Sequence, residues 1–362
     1  MLGLVPDLLF LVVSLVEGKS ALRRTCRTLR QAVDKCATQL TWEATREPCV
    51  DHGKQLGASL PAMCRANRNF KVLDCSRMGA SLVGLLGSPP AAQKLIAADL
   101  SPLAACASLQ TLNISRTGVT ELGPLAACAS LQTLNISCTW VADLGPLAAC
   151  TRLQNLHCSQ TRVEDLGPLS ACRGLRTLAC EHTTVSDMCP LASCTGLYTL
   201  TCNETLVSDL GPLAACTGLR DLHCFGTRVE DLVPLAACTG LCSFDCFNTM
   251  VASLGPLAAC TGLQALDCCG TLVVDLGPLA ACVGLQSLKC HYTKVADLRP
   301  LAACVGLQKL YCNGSRVVDV RPLAGCRGLR ALNCDHHVPL EQLRDLKAAC
   351  IYLCAQRGAC CC

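Results

Sequence analysis

Apolar residues recur along most of the chain at a spacing that is neither helical nor simply alternating. The first unit places Cys106, Leu109, Leu112, Ile114, Val119, Leu122 and Leu125 around a central Thr117, and the same order returns every 22 residues. Proline marks the period at 102, 124, 146, 168, 190, 212, 234, 256, 278, 300 and 322, and a cysteine follows each after four residues, from Cys106 to Cys326. Eleven units run on without an insertion. Such a period overrides domain counting from length, because each unit is one supersecondary element that cannot bury its own apolar face.

Around Leu112-Asn113-Ile114 apolar and polar positions alternate, which predicts a short strand. Thr117 then turns the chain. The Pro-Leu-Ala-Ala-Cys run that follows has proline where a helical turn begins and small residues where neighbouring units lie close, so a short helical or 3₁₀ return is expected. The spacing L-x-x-L-x-I-x-x-T resembles the leucine-rich repeat, with Thr where that family carries Asn. The repeat length is similar to the short repeats of the phosphatase-1 regulatory and internalin types. The resemblance covers residues 100–342 and implies an α/β solenoid, a horseshoe or arc with short parallel strands on its concave face and short helical or 3₁₀ turns on its convex face.

The Thr column, from Thr117 to Thr293 and then Ser315, is expected to tie the turn to a neighbouring carbonyl through its hydroxyl. Asp recurs just before the Leu-x-Pro turn, at 143, 165, 187, 209, 231, 275, 297 and 319. A carboxylate there is suited to the free N–H groups that open the helical turn.

Cysteine is the unusual component, at 34 residues of 362. Eleven occupy the helical-turn column and nine, from Cys158 to Cys334, the strand column, where the first two units carry Ile114 and Ile136. In-register side chains on parallel strands point the same way at about 4.8 Å spacing, so the sulfurs do not converge on disulfide torsions. A linear ladder also lacks the tetrahedral convergence of a zinc site. The columns are therefore expected to hold reduced thiols packed as small apolar groups, with no metal and no cofactor.

The hydrophobic content of 51% excludes disorder, and a net charge of +4 is too small for a nucleic-acid footprint. No apolar run reaches the length of a bilayer span, and the apolar stretch Leu8 to Val16 lacks the basic flank of a secretory signal. A soluble, cytoplasmic or nuclear protein, monomeric apart from its partners, is the expectation.

Function is sought at the outward positions of the strands, where the units disagree. His157, His182, His223, His291 and His336 fall there, as do Phe225, Phe247, Tyr292 and Tyr311. Aromatic residues on an otherwise polar surface suit a protein-binding face. Charge is ordered along it, with Asp221, Asp245 and Asp267 in the middle and Lys289 and Lys309 beyond. His223 between Asp221 and Asp245 has the composition of a metal or acid–base site, but a flat repeat surface excludes no water, so no catalytic residue is expected.

The ends differ from the array. In residues 1–42, Val5-Pro6-Asp7-Leu8-Leu9 opens an apolar helix and Leu22-Arg23-Arg24-Thr25-Cys26-Arg27-Thr28-Leu29-Arg30 a second one. This segment resembles an F-box. The resemblance implies that Pro6, Leu8, Leu9, Leu22, Cys26 and Leu29 contact a Skp-type adaptor. It would make the chain a substrate receptor of a cullin-type ubiquitin ligase, holding its substrate on the concave face. The alternatives are an interaction scaffold or regulatory subunit whose N-terminus is only a cap, and a secreted or surface recognition protein. Residues 43–99 are expected to form an atypical capping repeat, with Leu73-Asp74-Cys75 repeating the strand signature. In residues 340–353, Leu340, Leu343, Leu346, Cys350 and Leu353 predict a terminal helix, and residues 343–362 close the chain as capping helix and tail. The tail Cys360-Cys361-Cys362 is either an oxidisable end or a lipid attachment site, the one route to a membrane.

Overall fold

The computed structural model describes residues 39–41, 71–75, 99–346 and 350–354. Pro6, Leu8, Leu9, Leu22, Cys26 and Leu29, the residues expected to contact an adaptor, and the terminal cysteines 360–362 lie outside them.

The chain divides into two compact units, one ending at Val163 and one beginning at Glu164. The first carries β1 (Gln39–Thr41), β2 (Val72–Asp74), β3 (Thr111–Asn113), β4 (Thr133–Asn135) and β5 (Asn155–His157). Each is parallel to the next and pairs in register, Leu73 with Leu112 and Leu112 with Leu134. The second unit carries β6 (Thr177–Ala179), β7 (Thr199–Thr201), β8 (Asp221–His223), β9 (Ser243–Asp245), β10 (Ala265–Asp267), β11 (Ser287–Lys289), β12 (Lys309–Tyr311), β13 (Ala331–Asp335) and β14 (Cys350–Cys354), again parallel throughout. The 22-residue period in the sequence is thus the step from one parallel strand to the next.

A five-residue 3₁₀ turn precedes each array strand, from Ser101–Ala105 to Arg321–Gly325. Proline stands in the first turn of each, where no intrahelical N–H is needed. The Asp column does what its position suggests. Asp143 accepts the Gly145 N–H at 2.6 Å and Asp231 the Val233 N–H at 2.8 Å, satisfying donors that open the turn. At the far end the cysteine N–H closes the turn on a leucine carbonyl, as from Cys128 to Leu125 at 2.9 Å.

Leu109, Leu112, Ile114, Val119, Leu122 and Leu125 and their equivalents are almost completely buried. Each such aliphatic side chain contributes roughly 1.5–3 kcal/mol by leaving water. Phe244 substitutes for leucine in β9 and is equally buried. Both cysteine columns belong to this core. In the helical-turn column the thiol also reaches a carbonyl of the preceding repeat, as from Cys150 Sγ to Leu125 O at 3.3 Å. Burial pushes the Cys202 thiol up to about 12 and the Cys260 thiol up to about 11, so both remain protonated at neutral pH.

The Thr hydroxyls bond within their own repeat. Thr249 Oγ1 donates to the Cys246 carbonyl at 2.7 Å, and Thr117 to Ile114 O at 2.6 Å. They pin the turn that leaves the strand, and backbone bonds join the repeats.

Two expectations about the ends are corrected. Gln39–Thr41, the last residues of the segment expected to be helical, form a strand in register with Leu73 and its neighbours. The terminal helix α1 stops at Asp345 after six residues (Leu340–Asp345), and Cys350–Cys354 forms β14 against β13 instead of further helix. A spacing of three and four fits the repeat's own Leu-x-x-Leu as well as a helix, and the open edge of β13 supplies the pairing that decides between them.

Candidate functional site

Outward side chains of the second unit's strands form three columns: the first and third strand residues, and the residue two beyond the strand. Because adjacent strands pair in register, residues 22 apart in the same column become neighbours. Three cross-strand pairs result.

His223 of β8 faces Asp245 of β9, with Nδ1 3.8 Å from Oδ2. The Asp245 carboxylate, facing the imidazole N–H, holds His223 above its usual range against the opposing effect of partial burial. Asp245 is itself fixed, because its Oδ1 accepts the Phe247 N–H at 3.0 Å. Lys289 of β11 reaches back to Asp267 of β10 at 2.8 Å. Asp267 likewise spends its other oxygen on a backbone donor, the Cys269 N–H at 3.1 Å. The ordered charge in the sequence is therefore in part neutralised within the chain: Asp267 already has a cation in Lys289, and Asp245 has one in His223 when the imidazole is protonated.

Two residues beyond His223 and Asp245 in the same two repeats, Phe225 and Phe247 stack as tilted neighbours with ring centroids 6.2 Å apart. Both are half-buried. Their backbone N–H groups are held by Asn203 and Asp245 side chains at 3.0 Å, which fixes where the rings start. Asp221, at the first position of β8, lies beside Thr199 Oγ1 at 3.4 Å.

Further along, His291 and Tyr292 meet edge to face at 5.4 Å. Burial lowers the His291 pKa, and its Nδ1 is enclosed without a hydrogen-bond partner. Tyr311 pairs in register with Lys289, and Lys309 stands exposed at the start of the same strand.

Not every candidate joins this surface. His157 is in the first unit, at the end of β5. His182 and Tyr292 occupy the turn position that takes a left-handed backbone in repeat after repeat, at φ 53° and 55°. Both are exposed, in the turn that follows the strand. Missed altogether was the column before the strand, where Arg220 brings Nη1 to 3.5 Å of Cys242 Sγ and lies near the exposed ring of Tyr198. The signal was available, since residues 198, 220 and 242 break a column otherwise rich in glutamine.

The arrangement offers no converging set of ligands: among the described residues no group of three His, Cys, Asp or Glu side chains is placed to hold a metal ion. No helix among the described residues is long and apolar enough to cross a membrane.

No protein-family model matches the chain, and no curated protein does. Solved structures do. An internalin, InlF, from Listeria monocytogenes superposes with a TM-score of 0.78 at 22% identity, over 97% of this chain and 96% of that one. The functional domain of InlJ from the same organism, described as including a cysteine ladder, superposes at 0.60 with 19% identity, over 70% of this chain and 60% of that one. A leucine-rich repeat protein of Leptospira interrogans gives 0.60 at 14% identity, over 70% and 74%. At these identities the likeness is one of fold, and the fold is the leucine-rich repeat solenoid.

Proposed function

We propose that the strand face of the second unit is a protein-binding surface and that the chain acts by holding a partner, not by catalysing a reaction. The Phe225–Phe247 pair carries this reading. Two large apolar rings stand side by side just beyond β8 and β9, in the same two repeats as the His223–Asp245 pair and next along the array to the Asp267–Lys289 pair, in a chain only 3% aromatic. An aromatic centre with a polar rim is the composition that concentrates binding energy at protein interfaces. The rim residues are already oriented by backbone N–H groups, so little side-chain entropy remains to be lost on binding.

The test is capture of partners from native cells by the full chain and by a Phe225→Ala/Phe247→Ala/Tyr292→Ala/Tyr311→Ala variant, both shown by circular dichroism to be folded. Partners retained equally by both would place the interface elsewhere.

The sequence of residues 1–42 extends the reading: an F-box-like segment ahead of such a face makes a substrate receptor of a cullin-type ligase in the cytoplasm or nucleus. Its support is the motif alone. Removal of residues 1–38, which leaves β1 in place, should abolish co-purification with a Skp-type adaptor; no association of the intact chain would leave the scaffold reading.

A further inference from the structure

The segment leaving each strand turn runs out, in, out, and its outward residues form an edge distinct from the strand face. Its backbone makes a second ladder: Met250 N–H donates to Val229 O, Leu272 N–H to Val251 O, Lys294 N–H to Val273 O and Arg316 N–H to Val295 O, at 2.7–3.0 Å. The ladder sets Met250, Leu272, Lys294 and Arg316 in line, one per repeat. Met250 is 52% exposed, Leu272 42%, and Val274 beside Leu272 56%. Lys294 and Arg316 are exposed, and among the described residues neither has a carboxylate partner. Their neighbours along the edge are Ala296 and Val318, while Asp297 and Asp319 are already bound by Arg299 and Arg321 at 2.7 and 2.8 Å. An apolar stretch therefore continues into two unopposed cations.

The structure assigns this edge to a second partner contact: an amphipathic helix of another protein, its apolar side chains one turn apart over Met250, Leu272 and Val274 and its acidic end over Lys294 and Arg316. Three features select a helix of that charge. The ladder already pairs the main chain of this edge from repeat to repeat through the Met250, Leu272, Lys294 and Arg316 N–H groups, so the edge offers a partner side chains rather than a free strand edge. A helix laid along the ladder advances about 5.4 Å per turn against about 4.8 Å per repeat, so successive turns meet successive repeats. Lys294 and Arg316 lack a counter-charge that a carboxylate-bearing partner supplies. At the other end Arg228 stands with Glu230 two residues on, a mixed-charge boundary that gives the helix its direction.

The test uses the full chain and two synthetic helical peptides sharing leucines one turn apart, one ending in a run of glutamate and one in lysine, followed by fluorescence anisotropy. The glutamate peptide should bind, and Met250→Asp/Leu272→Asp should weaken it by about tenfold or more. Lys294→Glu/Arg316→Glu should weaken the glutamate peptide and favour the lysine peptide. The Phe225→Ala/Phe247→Ala variant should leave both unchanged, which separates this contact from the strand face. Met250, Leu272, Lys294 and Arg316 are exposed; circular dichroism checks the fold of every variant, and Met250→Ser/Leu272→Ser serves if the aspartates disturb it. Absence of glutamate-peptide binding, or equal affinity for both peptides, would overturn the assignment. So would binding to phosphatidylserine vesicles that Lys294→Glu/Arg316→Glu abolishes while the glutamate peptide does not compete, since that identifies an anionic membrane as the occupant.

Discussion

The ring of Tyr292 lies over Gly314 of the next repeat so closely that a β-carbon on Gly314 would fall 2.5 Å from Tyr292 Cδ1. Gly314 also holds a left-handed backbone, at φ 66°. Gly270 has the same φ, yet a β-carbon there would meet nothing nearer than 3.7 Å. The two glycines separate backbone strain from collision. Gly270→Ala should cost about 1 kcal/mol, the left-handed penalty alone. Gly314→Ala should cost about 1–3 kcal/mol more, because the ring must move. Urea midpoints of both variants check this, and Tyr292→Ala should rescue much of the Gly314→Ala loss. Equal midpoints for the two glycine variants would mean the ring yields freely.

The Thr column is testable through one residue. Thr249 is buried and its hydroxyl donates to the Cys246 carbonyl at 2.7 Å. Thr249→Val keeps the shape and removes the donor, so it should lower stability by about 1–2 kcal/mol, while Thr249→Ser should cost less than that. Hydrogen exchange of the amides around Cys246 would locate the effect: faster exchange confined to that turn is expected, and a uniform change across the array would point away from the hydroxyl.

The repeat array was legible in the sequence because the parallel ladder imposes its period on the chain. Pro124, Cys128, Leu134 and Thr139 each answer to a fixed place in the repeat, and the interchange of Ile114 with Cys158 shows what the strand column requires. At the ends the local signal was ambiguous. Leu340 and Leu343 begin a helix, but Cys350–Cys354 follows the unpaired edge of β13. Gln39–Thr41 carries neither proline nor cysteine to mark it, and only its register with β2 shows what it is. For the site, the columns were legible and the couplings were not. The pairing of His223 with Asp245 and the overlap of Tyr292 with Gly314 depend on which way a side chain leans across the gap between repeats, and periodicity holds no information on that. The edge formed by Met250 and Leu272 was visible in register, 22 residues apart, but lay outside the strand columns.

The His223–Asp245 pair should show itself on titration. The carboxylate raises the His223 pKa above its ordinary 6.5, whereas burial lowers that of His291. The two imidazoles should therefore titrate in opposite directions from 6.5 in a nuclear magnetic resonance experiment, and Asp245→Asn should bring His223 down while leaving His291 in place. A group raised in the folded state adds stability below its unfolded pKa and loses it as pH rises through the folded value. Stability measured from pH 6 to 8 should fall less steeply in Asp245→Asn. At the proposed interface, the charge on His223 should make partner binding pH-dependent in the same window.

The cysteine columns make a stronger prediction at high pH. Burial first, with neighbouring charges adding to it where they lie close, raises Cys75, Cys128 and Cys202 from 9.0 to about 12, and Cys150, Cys216 and Cys260 to about 11. For a thiol the charged form is the deprotonated one, so above pH 9 the unfolded chain loses protons that the folded chain keeps. The unfolded state then gains, and stability is full below pH 9 and declines as pH rises toward 11 to 12. Because the same shift recurs down both columns, the decline should be steep: many thiols ionise in one unfolding event. The urea midpoint should be nearly flat from pH 7.5 to 8.5 and drop sharply beyond, while a thiol reagent at pH 8 should label the partly exposed Cys138, Cys189 and Cys242 quickly and the columns only on unfolding. Cys202→Val, in the column that carries Ile at 114 and 136, should cost little at pH 7.5 and reduce the alkaline slope. If the columns label as fast as Cys189 in the folded chain, the thiols are not the closed core that the ladder describes.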